Sequence, residues 1–200
     1  MLKLEDTMTK STIEEYIKTI VNYSNKTSYK FYLLLAILEL GQQFDELSFR
    51  ECGREMIVQS WNDISNTDFY YSSTDKLRDI KNDIVFKEGL LEFASENTIR
   101  QSLNTCENEK INSYYDYLTQ YCTYLLISYG QWNTVLKKEK NYHKIHRLIA
   151  DLSQSESCLY EIHDKTLILN SEYFDVINKD TDYFKKIVKE ELRHYLSKKK

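Results

Sequence analysis

Few residues of this chain combine a reactive side chain with a spacing that chemistry could use. Of the four histidines, His143 and His146 lie three residues apart in a predicted helix, with Glu139 one turn earlier. Such a stripe can ligate a metal ion, but it needs a further ligand, and nothing nearby in the sequence supplies one. Adjacent acids such as Glu14–Glu15 diverge on a helix. We therefore predict solvated histidines and acids, with no metal ligand, no cofactor and no catalytic residue.

The sequence also lacks the motifs that commonly carry catalysis. It has no glycine-rich phosphate loop, no H-E-x-x-H, no G-x-S-x-G and no C-x-x-C. Whether the chain is an enzyme stays open, because folding could still bring scattered carboxylates together. Metal-dependent nicking of a plasmid, lost on chelation, would support that third hypothesis.

A basic helix is the first candidate for a binding surface. One exposed face of the helix predicted over 137–152 would carry four cations: Lys137, Lys140, Lys144 and Arg147. Two β-rich runs follow it, around the polar tip at 163–165, and this is the element order of the second half of a winged helix. A basic recognition helix can enter the major groove of DNA. The alternative is an ordinary solvated lysine-rich helix packed beside a hairpin.

A second basic surface lies near the end of the chain. The helix predicted over 181–196 carries Lys185, Lys186, Lys189 and Arg193, and the chain ends in three lysines. Cations near a helix C-terminus stabilise the helix through its dipole, which is sufficient reason for their presence. The alternative is a patch that contacts phosphates.

Composition and periodicity predict a mainly α-helical fold. The 200 residues include no proline and four glycines, so helices with short polar connections are expected. Apolar residues run nearly all round the helix predicted over 28–40, which places it at the centre of the fold. Ser48-x-x-Glu51 reads as a capping box that begins another helix. We predict a bundle-like helical domain with a small C-terminal β-hairpin, winged-helix-like in its order.

The domain organisation is left with two alternatives. The polar stretch 104–112 is a plausible joint between an N-terminal helical subdomain over 1–108 and a helical subdomain with the hairpin over 109–200. The length of 200 residues suits a single domain equally well.

Charge and hydropathy restrict the partners and the compartment. The formal net charge of −4 gives no overall attraction to nucleic acid or anionic membranes, so such binding needs a local basic surface. The N-terminal segment lacks the apolar region of a signal peptide, and the longest apolar run, 31–38, is too short to span a bilayer. The widely spaced Cys52, Cys106, Cys122 and Cys158 predict buried thiols in a reducing compartment. We expect a cytoplasmic chain without a membrane partner.

Several stretches resemble a known family. They are KTSYKFYLLLAILEL at 26–40, LSFRECGREMI at 47–57, Trp61, TDKL at 74–77, LYEI at 159–162, ILN at 168–170, and the pairs at 173–174 and 195–196. This succession resembles the N-terminal helical region of bacterial HNH endonuclease domain proteins. The HNH motif itself is missing from this chain, so no catalytic residue carries over. The resemblance implies a nucleic-acid-directed role in restriction or anti-phage defence.

The sequence therefore predicts a non-catalytic module that binds DNA or a partner nuclease. Its expected contact surface is the basic helix and hairpin at 137–170. The alternative is a protein-interaction module or inhibitor, a defence component that acts on another protein without binding DNA. The acidic balance and the tyrosine-rich composition fit this alternative.

Overall fold

The computed structural model describes residues 9–22, 28–65, 94–105, 142–155 and 158–198, together with positions 112 and 115. Seven helices occupy most of these residues: α1 (Lys10–Asn22), α2 (Tyr29–Leu40), α3 (Phe49–Ser65), α4 (Glu96–Thr105), α5 (Tyr142–Ser155), α6 (Ser171–Ile177) and α7 (Thr181–Ser197). Three short strands accompany them: β1 (Glu46–Ser48), β2 (Tyr160–His163) and β3 (Thr166–Leu169). The prediction of a mainly helical fold with a small C-terminal hairpin is confirmed.

Helix α2 forms the centre of the described fold. Every residue from Tyr29 to Leu38 is buried, as the apolar character of all of them except Lys30 predicts. Helices α3 and α7 both pack against α2, and α1 packs against α7. The central helix therefore holds together elements that are distant in sequence.

The capping box predicted before α3 is confirmed by its hydrogen bonds. The backbone N–H of Glu51 donates to Ser48 Oγ at 3.2 Å, and the backbone N–H of Ser48 donates to Glu51 Oε2 at 2.9 Å. These two bonds satisfy backbone donors that the helix itself leaves without a partner. The box fixes the point where β1 ends and α3 begins.

The hairpin belongs to a sheet of three antiparallel strands in the order β1–β3–β2. Leu47 of β1 pairs with Leu167 of β3, and Leu167 pairs with Ile162 of β2. All three side chains are buried and form an aliphatic row across the sheet. At the hairpin tip Asp164 has φ 52°, a left-handed conformation that aspartate tolerates better than most residues.

Helix α5 covers the outer edge of β2. Ser153 Oγ accepts a hydrogen bond from the backbone N–H of Ile162 at 2.9 Å, and Gln154 Nε2 donates to the backbone oxygen of Ile162 at 3.2 Å. Side chains of α5, and not another strand, thus provide hydrogen-bonding partners for the outward backbone groups of Ile162. These bonds fix the position of α5 relative to the hairpin.

Helix α5 followed by the hairpin of β2 and β3 has the predicted order of the second half of a winged helix. Helix α4 and undescribed residues separate α3 from α5, so any similarity to a winged helix beyond that order stays a prediction. Strand β1 is too short for its three residues to show a periodicity in the sequence.

Contacts cross the domain boundary that was considered near residue 108. Strand β1 pairs with β3, and α2 packs against α7. The boundary itself stays a prediction, because residues 106–111 lie outside the described part of the chain.

Two further predictions concern cysteines and membranes. Cys52 and Cys158 are buried thiols, as predicted, whereas Cys106 and Cys122 lie outside the described residues. Within the part of the chain that the structure describes, no helix has the length and apolar character needed to cross a bilayer.

Candidate nucleic-acid interface

The outward face of α5 carries two of the cations predicted for the interface. The side chains of Lys144 and Arg147 are exposed, and neither has a hydrogen bond or an ion pair with any residue that the structure describes. Asp151, one turn further along, is exposed on the same face. This face therefore presents to solvent one carboxylate and two cations that have no ion-pair partner among the described residues.

Leu148 lies between these charges. The helical spacing of apolar residues over 137–152 predicts an inward position for Leu148, and that prediction is wrong. The residue is 39% exposed. The helix buries Ile149 and Ser153 against the hairpin side, so residues 144, 147, 148 and 151 share the opposite face. A large aliphatic side chain thus sits in the middle of the charged stripe.

Two of the predicted interface lysines, Lys137 and Lys140, lie outside the described residues. The same holds for Glu139 and for the side chains of His143 and His146, so the metal-binding alternative stays untested there. Among the residues that are described, no group of three or more histidine, cysteine, aspartate or glutamate side chains could hold a metal ion.

The hairpin tip next to α5 has mixed charge. His163 Nε2 lies 2.9 Å from Glu161 Oε2, and both side chains are nearly half exposed. Asp164 and Lys165 at the turn are exposed as well. A phosphate near this tip would meet acids as well as a lysine, so α5 is the more favourable part of the surface for an anion.

The cations predicted on α7 have different environments. Lys185 is paired with Glu39 of α2, and its side chain is only 15% exposed. The ion pair and the low exposure make Lys185 less available to a phosphate than an exposed lysine, and its predicted role stays a prediction. Lys189 and Arg193, one and two turns later, are exposed.

Lys189 and Arg193 line a surface cavity of about 220 Å³ between α2, α3, α4 and α7. Asp63 lies in the same cavity and accepts a hydrogen bond from the Tyr32 hydroxyl at 3.0 Å. Burial raises the pKa of the Asp63 carboxyl, against the opposing effects of the Tyr32 hydrogen bond and the two cations. These two cations therefore face a carboxylate and an apolar wall, unlike the open face of α5.

An ion-pair network beside this cavity was not predicted from the sequence. Arg100 of α4 binds the buried Glu55 of α3 in a bidentate manner, with Nε 2.9 Å from Oε2 and Nη2 2.6 Å from Oε1. Arg100 Nη2 also lies 3.1 Å from Glu96 and 3.6 Å from Glu39, the partner of Lys185. The carboxylates raise the pKa of Arg100 further, and the hydrogen bonds that Arg100 donates to Glu55 have the largest effect.

The pair of Glu96 and Arg100 lies four residues apart in α4 and has a local signal, but the rest of the network has none. Its residues come from α2, α3, α4 and α7, which are separated in sequence, so only the tertiary fold brings them together. Because Glu55 is buried, removal of Arg100 would leave an uncompensated charge in the interior. The network therefore explains how α4 is held against α3.

Comparisons with known proteins give no assignment. No family model, no curated protein and no solved structure matches this chain. The resemblance to the N-terminal region of HNH endonuclease domain proteins therefore stays a prediction, carried by the sequence stretches alone.

Proposed function

We propose that this chain binds double-stranded DNA through the outward face of α5 and the adjoining hairpin. One observation carries the proposal: Lys144 and Arg147 are exposed on α5 and have no partner among the described residues. Lysine and arginine side chains on such a helix can contact phosphates and the base edges of the major groove.

The anchoring of α5 supports this proposal. Ser153 and Gln154 on its inner side bond to Ile162 of β2, so the helix and hairpin form one unit with the outward face left open. In the predicted similarity to a winged helix, α5 takes the place of the recognition helix. Because the net charge is −4, attraction to DNA requires a local basic surface such as this one.

The test is a salt series of DNA binding, measured by fluorescence anisotropy with a short labelled duplex. For the wild-type chain we expect log K to fall linearly with log salt. Each lost phosphate contact reduces the slope by about 0.9, so K144E/R147E should bind much more weakly and with a slope smaller by about 2.

The matched control is K179E/K186E, which makes the same change in net charge at two exposed lysines away from α5. We expect its binding to stay close to that of the wild-type chain at moderate salt, since screening weakens distant charges. Equal binding by K144E/R147E and the wild-type chain would show that α5 does not contact DNA.

The second candidate function is binding of a partner protein, and Leu148 favours it. This side chain is 39% exposed in the middle of the α5 stripe, and an apolar centre with a charged rim is the anatomy of many protein interfaces. A nuclease or another defence component is the kind of partner that the family resemblance implies. This function predicts a stable complex that L148E disrupts, together with no salt-sensitive retention on DNA.

The biological context that we propose is restriction or anti-phage defence, and it rests on the family resemblance alone. An HNH nuclease encoded by the neighbouring reading frame would support it. Neighbouring genes without a nuclease or other defence function would remove that support.

A further inference from the structure

We propose that the cavity between α2, α3, α4 and α7 binds a small organic anion. Lys189 and Arg193 would contact the negative group, while the apolar part would lie against the aliphatic wall formed by Leu35, Val58, Leu192 and Leu196. This site is separate from the proposed DNA surface on α5, and neither depends on the other.

The two cations are available for a ligand. Neither Lys189 nor Arg193 has a hydrogen bond or an ion pair with any residue in the described ranges. Lys185, one turn before Lys189 on the same stripe of α7, is in contrast paired with Glu39. The fold thus neutralises the first cation of this stripe and leaves the next two facing a cavity.

The carboxylates in the cavity already have hydrogen-bonding partners. Glu96 accepts from Arg100 Nη2 at 3.1 Å, and Asp63 accepts from the Tyr32 hydroxyl at 3.0 Å. Neither carboxylate forms an ion pair with Lys189 or Arg193 within the described part of the chain. An incoming anion would therefore supply the partner that the fold does not give these two cations.

The size of the cavity indicates the class of ligand. An apolar cavity of about 150 Å³ in another protein accommodates benzene. The cavity here measures about 220 Å³, which leaves room for a benzene-sized ring with one charged group. Pockets for larger ligands have volumes of about 300 Å³ and above. An aromatic or branched carboxylate fits both the volume and the charge.

Asp63 supplies a test of the charge of the ligand. Its carboxylate lies in the same cavity and would repel an anion but attract a cation. Burial raises the pKa of Asp63, so its carboxylate takes up a proton at a higher pH than an exposed aspartate does. Asp63→Asn should consequently strengthen the binding of an anion and weaken the binding of a cation.

The experiment compares three probes of nearly equal shape and different charge: benzoate, benzamide and benzamidine. Each is titrated into the full-length, ¹⁵N-labelled chain at neutral pH, and amide chemical shifts are followed. We expect saturable shifts for benzoate at residues that line the cavity. Benzamide should bind at least about fivefold more weakly, and benzamidine should not saturate.

Variants assign the effect to the cavity. Lys189→Gln and Arg193→Gln should each weaken benzoate binding by about threefold or more, a modest effect because both side chains are exposed. Asp63→Asn should strengthen it. The matched control is Lys179→Gln, an exposed lysine in the turn before α7 that does not line the cavity. Unchanged shifts elsewhere in the spectrum show that each variant is folded.

Three results would overturn the proposal. Benzamide binding as tightly as benzoate would show that the cations do not recognise charge. Tighter binding of benzamidine would show that Asp63 and Glu96 determine the selectivity. Absence of saturation by benzoate up to about 20 mM would show that the cavity does not bind this class of ligand.

Discussion

Lys30 illustrates how far a single residue can depart from the environment that its type prefers. It lies in α2 with its side chain fully buried, and Nζ is 5.2 Å from the centre of the Phe31 ring. Burial disfavours the charged form and lowers the pKa of Lys30 to about 8. The charge of Lys30 therefore destabilises the folded state at neutral pH, because the unfolded chain holds the same proton at less cost.

The first prediction concerns the pH dependence that follows from this pKa. Between about pH 8 and 10 the unfolded chain keeps the lysine proton while the folded chain loses it, so the contribution of Lys30 to stability rises with pH. Relative to Lys30→Met, the wild-type chain should gain about 2–3 kcal/mol between pH 7 and pH 10. Urea unfolding of both chains at each pH measures this difference in stability. The other titrating groups are the same in the two chains, so their contributions cancel. A constant difference would contradict the lowered pKa.

At two glycines, neighbouring groups come so close that a side chain would not fit. A Cβ atom at Gly53 of α3 would lie 2.4 Å from the backbone oxygen of Tyr115. One at Gly41 would lie 2.3 Å from Phe174 Cε1, although Gly41 has an ordinary helical φ of −66°. Both positions thus require glycine for the close approach of neighbouring groups, not for an unusual backbone conformation.

At the scale of elements, side chains at the ends and edges decide where helices and strands meet. The reciprocal bonds of Ser48 and Glu51 begin α3 directly after β1, and the backbone N–H of Phe49 donates to the oxygen of Lys165 at 2.8 Å. The start of α3 is consequently tied both to its own cap and to the hairpin tip. The capping box and the bond of Phe49 together link the start of α3 to the sheet.

The second prediction tests this cap. Ser48→Ala removes the acceptor of the Glu51 N–H and should reduce the free energy of unfolding by about 1 kcal/mol. Ser28 is the matched control, because it precedes α2 in the same position but its side chain makes no capping hydrogen bond. Chemical denaturation should show a smaller loss for Ser28→Ala. Equal losses at the two serines would contradict a specific role for the capping box.

At the scale of the whole molecule, residues far apart in sequence share one interior. Leu47 of β1 lies against Leu167 of β3, and α2 packs between α3 and α7. These contacts join the first quarter of the chain to its last. We expect the two parts to unfold together, since neither buries its apolar surface without the other.

The third prediction tests this coupling with Trp61 of α3 as the probe. Leu167→Ala in β3 should remove about 2–5 kcal/mol of stability, because it leaves a cavity in the aliphatic row of the sheet. The Trp132→Phe background leaves Trp61 as the tryptophan that reports on unfolding. The midpoint of its fluorescence transition should shift together with the midpoint measured by far-UV circular dichroism. Ile168→Ala, at the half-buried neighbouring position, is the control with a smaller expected shift. An unshifted Trp61 transition would show that α3 unfolds independently of the hairpin.

Local signals were sufficient to predict the helical class, the central position of α2, the capping box before α3 and the hairpin. Each of these depends on neighbouring residues: an apolar run, a serine and a glutamate three apart, or two β-rich runs around a short turn. Strand β1 was missed because three residues show no periodicity, and it is a strand only because β3 lies beside it.

The sequence alone determined which side chains carry charge, and the tertiary structure decided what each charge faces. Lys144, Lys185 and Lys189 have the same chemistry and all lie on amphipathic helices. Folding leaves Lys144 exposed, pairs Lys185 with Glu39, and places Lys189 at a cavity with Asp63. The physical reason is that electrostatic interactions depend on distance and burial, and both are fixed by residues that are far away in the chain.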